Sequence, residues 1–255
     1  MKWITFAAVA GAFATLNASH AADFSAGIGA EYTTGKYGGT ESTDMLYVPF
    51  GVKLESGAWV FKASIPYIHL SGPANVVGAG GDVIALPDAN AGRRTESGPG
   101  DIVTSAFVNL LDERNAGFGM DVGAKVKLGT ADEAKGLGTG ENDWSLQADF
   151  FKPLGAVTAF ATLGYRWYGD PPGFELRDVP YGALGATYKL SGGSSVGAAY
   201  DYRPHISPGG AAVSEASLFW SVRPSPQWKL QIYGIVGFDD ASPDAGVGAL
   251  LEHRF

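Results

Sequence analysis

The chain has 255 residues, 45% hydrophobic and 12% aromatic, with 37 glycines, no cysteine and a formal charge of -8. That length and apolar content suit one large folded unit and exclude a disordered chain. The missing cysteines exclude disulfides and thiolate metal sites, and the acidic balance argues against nucleic acid as a partner, because phosphate binding needs clustered bases.

Residues 1–21 read as a signal peptide, with Lys2 as a minimal positive region, an apolar run from Trp3 to Leu16, and the small residues Ser19 and Ala21 before the expected cut. The remainder, 22–255, is then one domain. No later stretch holds eighteen uncharged apolar residues, so no membrane helix is expected.

From there the pattern has a period of two, which marks strands with unlike faces. Phe24, Ala26, Ile28, Ala30 and Tyr32 share one face of the first strand, opposite Glu31 and the small residues. The second sets Leu46, Val48, Phe50, Val52 and Leu54 against Lys53 and Glu55, and the third sets Trp59, Phe61, Ala63, Ile65 and Tyr67 against Lys62 and Ser64. The fourth, 100–111, is less clean, because Val103 and Phe107 intrude on its polar face. Phe118 to Leu128 alternates with Asp121, Lys125 and Lys127; the sixth strand sets Trp144, Leu146, Ala148 and Phe150 against Asp143, Gln147 and Asp149. The seventh runs from Val157 to Trp167 with Arg166 on its polar face, and five more follow near 179–190, 194–203, 213–223, 227–239 and 245–255, twelve in all.

The connections alternate in length. "TTGKYGGTEST", 71–99, "ADEAKGLGTGE", "GDPPGFELRD", "PHISPGGAA" and "DDASPD" are long, whereas "SG", "DERNAG", "KPLG", "SGGS" and "RPSPQ" are tight. Long loops on one side, short turns on the other and strands of membrane-crossing length predict an all-β, closed antiparallel transmembrane barrel with periplasmic N- and C-termini. Trp59, Trp144, Trp167, Tyr202, Trp220 and Trp228 near strand ends fit interfacial girdles. The competing fold is a periplasmic β-domain whose apolar face meets a second sheet. Outer-membrane lipid, lipopolysaccharide and the assembly machinery are the partners a barrel implies; the oligomeric state is not legible.

If lipid meets the apolar face, the other lines a lumen. Its candidate pore residues are Glu31, Lys53, Lys62, Asp101, Asp121, Lys125, Lys127, Asp149, Arg166, Asp201, Arg203, Glu215 and Arg223. The near balance of signs fits either ion pairs filling a closed barrel or a water-filled passage for small solutes. Twelve strands fall between barrels that side chains fill and those with open channels, which predicts a narrow passage, with 71–99 as a loop lacking structure of its own and the candidate plug. Leu251, His253 and Phe255 at two-residue spacing resemble the terminal assembly signal of outer-membrane proteins, with His253 where an aromatic is usual.

"SGPGDIVTSAFVNLL", "LGTADEAKGLGTGENDW", "GYRWYGDPPG", "YGALGATYKL" and "SPDAGVGALLEHRF" together resemble the transporter family named for the meta-cleavage pathway of phenol degradation, outer-membrane proteins found with aromatic catabolism. The resemblance implies a β-barrel channel passing small, often aromatic, molecules by facilitated diffusion. Gly138, Thr139, Gly140 and Asp143, then Gly169, Asp170, Pro171, Pro172 and Gly173, match the family's loop motifs, and read physically as turn formers. The rival class is a lipid hydrolase using His69 and Ser71, two apart near the end of the third strand, but no orienting carboxylate lies in that stretch. A structural or adhesive barrel is the third reading, and few aromatic or arginine anchors in the loops support it. No catalytic residues, cofactor or metal site are expected; His205 and His253 lie apart, and no phosphate loop occurs.

Overall fold

The computed structural model describes residues 22–79, 82–85 and 92–255; the expected signal peptide lies outside them. The alternating segments form β1 (Asp23–Gly35), β2 (Thr43–Ser56), β3 (Trp59–Pro73), β4 (Val76–Ala79), β5 (Asp82–Ala85), β6 (Arg93–Pro99) and β7 (Ile102–Leu111). After the one-turn helix α1 (Glu113–Ala116) come β8 (Gly119–Leu128), β9 (Asp143–Leu154), β10 (Val157–Trp167), β11 (Val179–Lys189), β12 (Ser194–Arg203), β13 (Val213–Val222), β14 (Trp228–Gly237) and β15 (Ala245–Arg254).

Every neighbour in the wall is antiparallel, and the ring shuts where β1 pairs with β15 from Ser25↔Arg254 to Thr34↔Ala245. Counting β6 and β7 as one interrupted strand against β3, the wall is a closed twelve-strand barrel. Closure pairs every wall strand on both sides except the β6 segment, and a sheet in hydrocarbon requires such pairing. The tight turns are made by residues that permit them: Gly57 and Gly155 sit at φ 58 and 71, where a Cβ would be strained. In "DERNAG" the turn is a short helix capped by Asp112, whose carboxylate accepts from the Arg114 amide at 2.8 Å.

The apolar face points outward. Leu163, Leu184 and Leu218 are 63, 66 and 70% exposed, while alternate residues such as Thr162, Ala183 and Ser217 are buried. Bulky outer residues with no protein cover are the pattern of a wall facing lipid, not of a sandwich core. Trp59, Trp220 and Trp228 stand toward the rim carrying the tight turns, and Trp144, Trp167 and Tyr202 toward the rim carrying the long connections, all exposed. They bracket the apolar band as two girdles.

Residues 71–99 differ from the expectation of a structureless loop. β3 continues to Pro73 with its apolar residues switching from the outer face, Ile65 and Tyr67, to the buried inner face, Ile68 and Leu70, and β6 pairs with it from Tyr67↔Pro99 to Pro73↔Arg93. Between them β4 and β5 form a hairpin, from Val76↔Ala85 to Ala79↔Asp82. The wall strand predicted to start at residue 100 therefore begins at Arg93 and breaks at Gly100 and Asp101. Gly100 lies against Ile68 and Pro66, where a Cβ would come within 2.6 and 2.7 Å. Among the described residues β6 pairs only with β3, so beyond Ile102↔Leu128 the connection 129–142 covers the space beside it.

Candidate functional site, the barrel lumen

Cross-strand register gathers inner charges of one sign into two rows, whereas the row Lys229↔Glu252↔Gly27↔Gly51↔Ser64↔Val103↔Lys127↔Asp143 mixes the signs. One ladder row runs Arg254↔Ser25↔Lys53↔Lys62↔Ser105↔Lys125↔Ser145↔Arg166, bases and serines with no acid. Because barrel strands are staggered, this row climbs from the tight-turn rim at Arg254 to the long-connection rim at Arg166. A second row runs Asn109↔Asp121↔Asp149↔Thr162↔Ala183↔Asp201↔Glu215, acids and neutral residues with no base. On β8 the two are separated by the four residues from Asp121 to Lys125, about 13 Å at ~3.3 Å per residue, too far for direct pairing along the strand.

The row between them carries rings. It runs Val60↔Phe107↔Gly123↔Gln147↔Gly164↔Tyr181, with the Tyr181 hydroxyl donating to Gln147 Oε1 at 2.9 Å. Phe107 and Tyr181 belong to a wider pattern in which an inward aromatic lies flat over a glycine directly opposite. The pairs are Phe107/Gly123, Phe151/Gly119, Phe160/Gly185, Tyr181/Gly164, Phe219/Gly197 and Tyr233/Gly248, and a Cβ at any of these glycines would sit within 2.5 Å of a ring carbon. Glycine lets each ring lie along the wall and covers the bare backbone. The apparent irregularity at Phe107 is thus its packing: it is 5% exposed and turned inward.

The predicted pore residues fall into distinct settings. Glu31 accepts from the Tyr233 hydroxyl at 2.8 Å, and Lys53 lies 3.4 Å from both Glu55 and Glu252. Asp121 accepts from Asn109 Nδ2 at 2.7 Å; Asp149 accepts from Gln147 Nε2 at 2.7 Å and Thr162 Oγ1 at 2.6 Å. Lys62 and Lys125 stand 6.0 and 5.9 Å from the Phe107 ring centroid. Asp201, Arg203 and Glu215 are buried, and Arg223 is exposed one residue beyond the end of β13.

Asp101 and Lys127 form a buried junction instead of an open lining. Lys127 Nζ lies 3.5 Å from Asp101 and 3.3 Å from Asp143, and donates to Thr139 Oγ1 at 2.9 Å. The Ala131 amide donates to Asp101 at 3.0 Å and the Gly169 amide to Asp143 at 3.2 Å. Buried charges hold only when paired and hydrogen-bonded, and here the pairing ties "ADEAKGLGTGE" to the break between β6 and β7. Leu137, fully buried, fits against Gly98 and Gly78, and the Gly78 amide donates to the Gly136 carbonyl at 2.9 Å.

The β4–β5 hairpin spans the long-connection rim. One side, Val76 and Val83, packs with Met45, Tyr47, Ile68 and Leu70 on the inner face of β2 and β3. The other, Val77 and Ile84, packs with Leu176, Val179 and Ile206 above β10 to β13. Register alone gave no warning of this, but the apolar pair Val76-Val77 answered by Val83-Ile84 is its sequence signal.

At the closing seam Leu251 is outward against Ile28 and Leu230, and His253 packs edge-on against Trp228 and Phe255, with centroids 4.4 and 4.6 Å apart. His253 thus takes an aromatic's place in packing. On the outer face His69 Nδ1 pairs with Ser97 Oγ at 2.7 Å while Ser71 pairs with Thr95 at 2.9 Å. The suspected His69–Ser71 couple is divided between two cross-strand polar pairs.

The model of the family described as "Putative MetA-pathway of phenol degradation" matches residues 13–255. The chain belongs to this family. No curated protein matches it. Among solved structures, this family member is similar to the COG4313 outer membrane channel from Pseudomonas putida F1, with a TM-score of 0.68 at 14% identity over 95% of this chain and 98% of that one. It is also similar to the KdgM porin (TM-score 0.53, 10% identity, 91% and 99% covered). The translocator domain of the autotransporter NalP from Neisseria meningitidis follows (0.51, 12%, 100% and 95%). The fold is the outer-membrane β-barrel of Gram-negative bacteria.

Proposed function

We propose that this barrel passes small solutes, aromatic compounds among them, across the outer membrane by facilitated diffusion, with both termini on the periplasmic side. The observation that carries this reading is the inner wall: two rows of charge each carry one sign, Lys62 and Lys125 remain partly accessible, and six aromatic rings lie against the wall over glycines. A barrel packed solid would turn its large side chains toward the axis and pair its charges there. Family membership and the likeness to an outer membrane channel support the same reading. The long-connection rim then faces outward, the hairpin lies across the entrance, and Leu251, His253 and Phe255 serve the assembly machinery after the leader 1–21 is removed. Liposomes holding the purified protein are expected to swell faster than protein-free liposomes in small polar solutes and no faster in sugars of several rings. Equal rates in every solute would mean a filled structural barrel.

A further inference from the structure

Unlike Lys53 and Lys127, which are paired with carboxylates, some lumenal bases are treated differently from the acids near them. Asp121 and Asp149 are held by the neutral donors Asn109, Gln147 and Thr162. By contrast, no carboxylate of the described residues lies within 4.0 Å of Lys62 or Lys125. Arg203 is 2% exposed, yet its Nε and Nη1 have no acceptor among the described residues. A buried guanidinium without an acceptor is unfavourable, and a partly accessible ammonium with no carboxylate beside it can take one up, so a ligand that brings an anionic acceptor is favoured.

What these cations touch is aromatic. Lys62 and Lys125 flank Phe107, and the Arg166 guanidinium lies 5.4 Å from Tyr168 and 5.8 Å from Tyr181. Arg203 approaches Tyr168 as well, at 5.9 Å. Tyr168 itself packs under the hairpin with Val77 and Ile84. Cations and rings thus alternate from the hairpin to the middle of the bore, following the row Lys62↔Ser105↔Lys125↔Ser145↔Arg166, whose serines add hydroxyls between the charges.

We propose that this row is a binding track for aromatic carboxylates. A carboxylate accepts from the ammonium and guanidinium groups, which form their strongest hydrogen bonds to charged oxygens, while its flat ring lies beside Phe107 or Tyr168. A neutral aromatic gains only the second contact, and a small inorganic anion only the first. The proposal depends on the passage reading solely in calling the row a path; the site itself does not.

The test is a calorimetric titration of the intact protein in detergent micelles with sodium benzoate, benzyl alcohol and sodium chloride. Benzoate is expected to bind saturably, and benzyl alcohol about tenfold more weakly or worse. Lys62→Gln with Lys125→Gln should weaken benzoate by about tenfold, as should Arg203→Gln, while Lys189→Gln, at an exposed strand end, leaves it unchanged. The lysine pair, being partly accessible, keeps the test usable if the buried Arg203 variant does not fold. Equal binding of benzyl alcohol, undiminished benzoate binding by the folded lysine variant, or no saturable benzoate binding would overturn the proposal. Benzoate binding without solute-dependent swelling would instead sink the passage and leave the site; swelling without benzoate binding would do the reverse.

Discussion

Lys127 illustrates how one side chain can belong to the wall and not to the bore. It is 7% exposed between Asp101 and Asp143, and removing one member of such a buried cluster leaves uncompensated charge. Lys127→Met should therefore lower unfolding stability by about 3–5 kcal/mol, measured by guanidinium titration in detergent; a loss below about 1 kcal/mol would show the cluster is not holding the seam. Sign and spacing placed Asp101, Lys127 and Asp143 on the polar face, but nothing in a period of two separates a charge facing water from one facing an infolded loop. Phe107 is the opposite case, an apolar residue on a polar face whose partner Gly123 lies on the next strand. Gly123→Val would drive that ring off the wall, with an expected cost of about 1–3 kcal/mol in the same titration. Unchanged stability would mean Phe107 has room to move.

At the scale of elements, legibility followed local periodicity. Eleven of the twelve wall segments could be read because they alternate over about ten residues or more and most end beside Gly, Pro or Asp, and the alternation itself assigns faces. The fourth, 100–111, is less clean, and its strand starts earlier than the sequence suggests. The β4–β5 hairpin could not: each arm has four residues, both of its sides pack, and two buried sides erase the alternation. For the same reason the connection 129–142 reads as a surface loop, although Ala131, Leu137 and Thr139 are buried in it. Placing an acid at the hairpin's packed face opposes its docking. Ile84→Asp is expected to release the hairpin and make 76–85 susceptible to added protease while the wall stays resistant; continued protection would contradict its role as a docked cover.

For the whole molecule, the decisive physical term is what covers the outer face. Leu218 lies midway along β13 and is 70% exposed, a position that in water would tolerate a charge. In hydrocarbon it would not: Leu218→Arg should cost about 2–4 kcal/mol of folding free energy in lipid bilayers. A neutral outcome would take that wall out of the membrane. The inner wall meets the opposite demand, holding charges beside rings that lie over glycines, with the hairpin packed across one rim. Single-channel recording in planar bilayers, comparing the intact protein with a variant in which a short glycine-serine linker replaces 74–91, tests the passage and its cover at once. The intact barrel should give small conductance steps and the variant steps several-fold larger, whereas silence from both, with the barrels verified as folded, would contradict a passage through this wall.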